Sequence, residues 1–164
     1  MLSLQEISDR LEIQQLMIDY SSAIDQHEFD RLDEVFTPDA YIDYRTMGGI
    51  DGRYPEVKAW LKPALAAFPH YCHMIGNMAI KVTGDTASSR TICFNPMEVD
   101  LGSGQRQVMF LGLWYVDKFV RTPNGCGSAS ASRKRATRTT SQPVSKSPKV
   151  ATPDDRLKAC PWSF

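Results

Sequence analysis

The apolar residues of this chain change period once, near residue 70, and that change dictates its architecture. Before it they recur at three- and four-residue spacing: Ile13, Leu16, Met17, Tyr20 and Ile24 share one face, the stripe of a helix packed on one side. Asp9-Arg10-Leu11-Glu12 has the form of a capping box, and Ser3-Leu4-Gln5-Glu6 offers another start just upstream. A second, short helix is predicted over Phe29 to Phe36, stopped by Pro38 and followed by β-rich Ala40 to Arg45. Gly48, Gly49 and Gly52 mark a turn-rich return. A third helix is predicted from Pro55 to Phe68, with Pro55 in its first turn and a kink or break at Pro63.

Past residue 70 the pattern becomes that of strands. Tyr71 to Ile75, Met78 to Val82, Ser88 to Phe94 and Val108 to Val120 are separated by turns, with Thr83-Gly84-Asp85 the clearest. Three helices followed by antiparallel strands predict an α+β domain.

Charge divides the chain elsewhere. The total is neutral, yet residues 1–121 hold 11 Lys+Arg against 17 Asp+Glu, while residues 122–164 hold 8 against 2. The second piece has 12 Ser+Thr, five prolines and few large apolar side chains, too little to offset the entropy of ordering it. Residues 1–121 are therefore read as the folded domain and 122–164 as a disordered basic tail. Balanced charge argues against a nucleic-acid partner. No apolar run reaches the roughly 18 residues of a membrane span, and the N-terminus lacks signal-peptide form. Four scattered cysteines predict free thiols, so the expected location is cytoplasmic.

Few residues stand out for chemistry. His73 lies in the apolar and aromatic run Phe68 to Ile75, where alternation puts Tyr71, His73 and Ile75 on one face and His70, Cys72 and Met74 on the other. Such a histidine is either a hydrogen-bonded core residue or a proton-transfer group. Asp25, after Ala23-Ile24 at the inner end of the first helix, is either a surface carboxylate or a partner for a base. His70 and His73 point apart and no zinc spacing follows, so no metal is expected. No phosphate loop, dinucleotide fingerprint or hydrolase elbow is present. Phe94, Phe110, Trp114 and Tyr115 read as core, with some of them lining a cavity.

The run Leu11-Glu12-Ile13-Gln14-Gln15-Leu16, then Tyr20, Asp25, Asp33 and Phe36-Thr37-Pro38-Asp39-Ala40, resembles the opening of SnoaL-like proteins of the nuclear transport factor 2-like superfamily. His73 with Gly76-Asn77, Asn95-Pro96-Met97 and Gly112-Leu113-Trp114-Tyr115 continue the likeness to about residue 125. The resemblance implies a cone-shaped curved antiparallel sheet wrapped on the three helices. In the dehydratase branch (scytalone dehydratase, bile-acid 7α-dehydratase, hexachlorocyclohexane dehydrochlorinase) it implies an Asp–His dyad, here Asp25 and His73, and a catalytic tyrosine, here Tyr20. Tyr20 and Asp25 are about 140° apart on an ideal helix, so both reach the cone only at an irregular helix end or in a wide pocket. The implied reaction is an elimination or isomerisation without cofactor, on a small hydrophobic cyclic substrate bounded by Tyr44, Phe94, Met97 and Trp114. Homodimers or homotrimers are implied as well. The same fold also serves polyketide cyclases and non-catalytic ligand-binding or assembly modules.

The likeness breaks after Asn124-Gly125. One allowed codon choice for Cys126 to Thr137, with a single G restored at codon 126, translates as Trp-Arg-Ile-Arg-Glu-Arg-Val-Glu-Glu-Lys-Ser-Tyr, the kind of closing strand the family has. A frameshift there predicts a chain without its last strand, an exposed sheet edge beside Val108–Val120, and weak or absent activity.

Overall fold

The computed structural model describes residues 1–123, together with the backbone of 125–135 and 140–143. Ser3, rather than Asp9, starts helix α1 (Leu4–Asp25): its hydroxyl accepts the Glu6 N–H at 3.1 Å. The inward face is Ile13, Met17, Tyr20, Ala23 and Ile24. The second helix is a 3-10 turn over Phe29–Glu34 with Phe29 and Leu32 buried. The chain then enters strand β1 (Phe36–Asp43) earlier than Pro38 suggests. Pro38 falls where the pairing of β1 with a neighbouring strand is irregular, between Phe36 and Tyr41, a place where a missing N–H costs little. A second 3-10 turn, Arg45–Met47, ends at Gly48 with φ +84°, a conformation glycine adopts without a Cβ penalty. Strand β2 (Asp51–Arg53) leads into α2 (Tyr54–Leu65), which keeps Pro63 within its last turn and ends short of Phe68.

The remaining strands are β3 (His70–Tyr71), β4 (Met74–Thr83), β5 (Thr86–Asp100), β6 (Arg106–Thr122), β7 (Gly125–Arg135) and β8 (Thr140–Pro143). Their order is β2-β1-β7-β6-β5-β3, with β4 also on β5 and β8 on β6. Pairing is antiparallel except between β1 and β7, which run parallel. β5 continues through Asn95-Pro96 to Asp100, past the Phe94 expected to end it. That continuation carries Asn95 and Met97 inward with Cys93.

The sheet was expected to lack its closing strand, but the backbone of β7 lies along β6 from Leu113 to Thr122. The reason is that ladder pairing uses backbone N–H and C=O groups, which small residues supply as well as large ones, and an unpaired β6 edge offers both. The rest of the expected disordered tail, residues 136–139 and 144–164, lies outside the described residues, as does residue 124.

Asp9 holds the far end of this assembly. It is 3% exposed inside α1, and Arg121 of β6 binds both its oxygens at 2.8 Å. Arg121 also bonds Asp85 in the β4–β5 turn at 3.0 Å, so one guanidinium joins helix, turn and strand. Among the described residues no helix is long and apolar enough to cross a membrane.

Candidate active site

Asp25 is the last residue of α1. A carboxylate there meets the negative end of the helix dipole, which disfavours it. Two N–H groups of His73 offset that cost: the backbone N–H donates to Oδ2 at 2.9 Å, and ring Nδ1 lies 2.6 Å from Oδ1. Nδ1 therefore carries a proton, and the ring is fixed in both orientation and tautomer. The His73 side chain is 7% exposed and that of Asp25 26%, so the pair sits at a cavity wall.

Tyr71 anchors the same helix end. Its hydroxyl donates to the Ile24 carbonyl at 3.1 Å and lies 3.2 Å from His27 Nδ1. Burial, then the Asp25 charge, pushes the Tyr71 phenol up to about 12, so it remains a donor. Asn95, 4% exposed on β5, faces the other ring nitrogen of His73 at 3.2 Å.

The dyad borders a cavity of about 430 Å³. Tyr20 lies edge-on to the His73 ring, centroids 6.4 Å apart, and its hydroxyl shares a 2.8 Å hydrogen bond with that of Tyr44. The expected angular conflict between Tyr20 and Asp25 is resolved at the helix terminus. Asp25, as the final helical residue, reaches His73 at the helix end, while Tyr20 reaches it with its ring. Elsewhere the lining is mostly apolar, with Trp60, Met97, Met109 and Leu113. A Cβ at Gly49 would lie 2.6 Å from Trp60 Cη2 and 2.8 Å from Tyr44 Cβ, so this wall closes only around a glycine.

Of the residues expected from sequence, His73, Tyr20, Tyr44 and Met97 line the cavity and Asp25 backs His73. Phe94 and Trp114 do not line it. Phe94 is 44% exposed and stacks on Phe110 at 5.8 Å, and Trp114 lies under the Arg90 guanidinium at 3.6 Å. The pleat is the cause: Cys93, Asn95 and Met97 on β5, with Leu113 and Tyr115 on β6, take the inner face, which turns their sequence neighbours outward. Tyr115, read from sequence as core or cavity lining, lines the cavity, and so do Trp60 and Asn95, which had no role assigned. Alternation could not single out Asn95, since Phe94 and Met97, which fall on opposite faces of a strand, were both expected to bound the substrate. Among the described residues no three His, Cys, Asp or Glu side chains converge as metal ligands.

Residues 5–126 match the SnoaL-like domain family. An uncharacterized protein of Mycobacterium tuberculosis is 67% identical over 125 residues, 76% of this chain and 84% of that one. Among solved structures, a protein of Novosphingobium aromaticivorans, provisionally described as an aromatic ring hydroxylase, superposes with a TM-score of 0.74 at 26% identity, over 83% of this chain and 94% of that one. A hexachlorocyclohexane dehydrochlorinase of Novosphingobium barchaimii superposes with a TM-score of 0.73 at 17% identity, over 85% and 93%. These likenesses establish the nuclear transport factor 2-like fold, with a curved sheet that is not closed into a barrel.

Proposed function

This chain belongs to the SnoaL-like domain family, and from that premise we propose that it is a cofactor-independent lyase. Its substrate is a small hydrophobic cyclic molecule that loses water or HX. The observation that carries this reading is the Asp25–His73 pair at the wall of a largely apolar cavity of about 430 Å³. Similarity in fold to a dehydrochlorinase supports it.

The reaction divides into two proton movements. His73, in its neutral form, takes a proton through Nε2 from a carbon beside a carbonyl or beside the carbon that bears the leaving group. The electron pair of that C–H bond becomes the new C=C bond, and the leaving group departs with its own bonding pair. Tyr20 donates a proton to a departing oxygen, and the Tyr44 hydroxyl supports the resulting phenolate. His73 then returns its proton to Tyr20 directly or through water, which closes the cycle. A halide instead leaves as the anion with only a hydrogen bond from Tyr20, and the proton on His73 passes to water. Asp25 holds the tautomer throughout and balances the imidazolium.

The test is a panel of hydrophobic cyclic hydroxyketones and halides, followed by absorbance of the new double bond and by deuterium uptake in D2O. Turnover is expected to fall by about 10²–10⁴ in His73→Ala, assayed below the melting temperature of the variant. Equal rates in His73→Ala would overturn the proposal.

One observation favours a second reading. Both His73 ring nitrogens already have partners within the protein, Asp25 and Asn95, as a structural histidine does. A ligand-binding module would bind the same cyclic molecules with no deuterium uptake.

A further inference from the structure

Part of the cavity lining is soft and part is rigid. Met47, Met97 and Met109 contribute unbranched, adaptable side chains. Trp60 of α2 has no such freedom. A Cβ on Gly49 would stand 2.6 Å from Trp60 Cη2 and 3.2 Å from Cζ2, so the indole lies directly against the Gly49 backbone. Gly49 does not have a positive φ, whereas its neighbour Gly48 does, at +84°. The fold therefore uses the missing side chain of Gly49 rather than its backbone freedom. Tyr44 holds the indole from a second side, with ring centroids 6.0 Å apart and 31° between the planes. Tyr44 is itself buried, and its hydroxyl is bonded to that of buried Tyr20. Each support of Trp60 is thus fixed in turn.

We infer that Trp60, seated on Gly49 and Tyr44, is a specificity-determining residue that limits how many fused rings the ligand can carry. Along the cavity wall the Tyr20 ring meets His73, the Tyr20 hydroxyl meets that of Tyr44, and the Tyr44 ring meets Trp60. A ligand oxygen at the two hydroxyls, with the reacting carbon at His73, leaves Trp60 as the next ring beyond Tyr44. Each further ring on that side runs into the indole. The methionines can shift to admit a substituent, but the indole cannot retreat without entering the space of Gly49 or Tyr44. A volume of about 430 Å³ also lies near the small end of the roughly 300–1,000 Å³ usual for ligand cavities. The ligand class is then a compact hydroxylated or keto ring system, of two rings rather than four.

This inference deepens the elimination reading and rests on it for the placement of the reacting carbon at His73. The size limit itself is a property of the cavity and acts on binding, whether or not the ligand reacts.

The test is fluorescence titration of the full chain with 2-naphthol and 1-hydroxypyrene, aromatic alcohols of two and four fused rings. Trp60→Leu is expected to tighten binding of 1-hydroxypyrene by about tenfold or more, with no gain for 2-naphthol. Trp60→Phe, which keeps a smaller ring in the same seat, is expected to fall between Trp60→Leu and the unmodified chain. A tryptophan that only supported the fold would, on removal, lower both affinities together. A gain shared equally by the two ligands, or no gain for 1-hydroxypyrene in the folded variants, overturns the inference. The readout needs no turnover. A selective gain in a chain that turns over no cyclic substrate would refute the lyase reading and leave the size limit standing, and turnover without a selective gain would do the reverse.

Discussion

Asp25 holds His73 by two bonds of different kinds, one to the backbone N–H at 2.9 Å and one to ring Nδ1 at 2.6 Å. The first fixes where strand and helix meet, and the second fixes the imidazole. Position and tautomer thus depend on one carboxylate.

Asp25→Asn separates these roles. An amide offers one accepting oxygen and one donating nitrogen, so it cannot accept both N–H groups. Turnover in the elimination assay is expected to fall by about 10²–10⁴. Thermal melting, measured in parallel, is expected to show a loss of about 1–3 kcal/mol for the donor left unpaired.

Tyr20→Phe removes a hydroxyl from the pair with Tyr44 while keeping the ring that packs on Phe36, His73 and Tyr115. The expected stability change is about 1 kcal/mol. A larger effect is expected in kcat for substrates with poor leaving groups such as hydroxide, and a smaller one for halides. Comparing the two leaving groups in wild type and variant checks this.

The cavity wall can be probed by size. Leu113→Trp fills the space from the inner face and is expected to weaken binding of a cyclic ligand at least tenfold. Phe94→Ala, on the opposite face, is expected to leave the affinity unchanged. Titration of a fluorescent cyclic ligand distinguishes them, and an effect of Phe94→Ala as large as that of Leu113→Trp would contradict the assignment of faces.

Acid should loosen the helix anchor first. Hydrogen bonds from Arg121, then from Gln5, hold the Asp9 carboxyl below the ordinary carboxylate value. Its contribution is therefore complete above the unfolded value of about 3.9 and is lost as pH falls through the lower folded value. Asp33, held low by the Tyr54 hydroxyl and then Lys58, acts in the same direction. Melting temperatures from pH 6 to 2 should fall more steeply for the parent chain than for Asp9→Asn, which starts lower.

The family match ends at residue 126, the codon where one restored G yields a family-like strand. Position 131, Ala131 here, lies opposite Asp117, which is 1% exposed. The restored frame puts an arginine at that position, a cation beside a buried carboxylate, and an isoleucine opposite Phe119. The restored protein is expected to melt on the order of 5 °C higher and to turn over faster. Sequencing the coding DNA across codon 126 together with this comparison tests the frameshift, and a restored protein no more stable than the parent would count against it.

Helix and strand order were legible because spacing along the chain reports which face is buried: Ile13, Met17, Tyr20 and Ile24 are inward as their three- and four-residue spacing requires. The Asp25–His73 pair was legible only through the family resemblance, since nothing local says that a helix end will meet a residue 48 positions later. Phe94 and Trp114 were misplaced because an aromatic side chain suits either face of a sheet, and only strand register decides which.

The sequence by itself determined the α+β architecture, the buried face of α1 and the presence of few titratable groups in an apolar setting. These follow from periodicity and composition, which are properties of neighbours along the chain. Only the tertiary structure decided that Asp9 would be clamped by Arg121, that Gly49 would admit Trp60 to the cavity wall, and that Asn95 would face His73. Those relationships depend on distances between elements, which packing sets and the order of residues does not record.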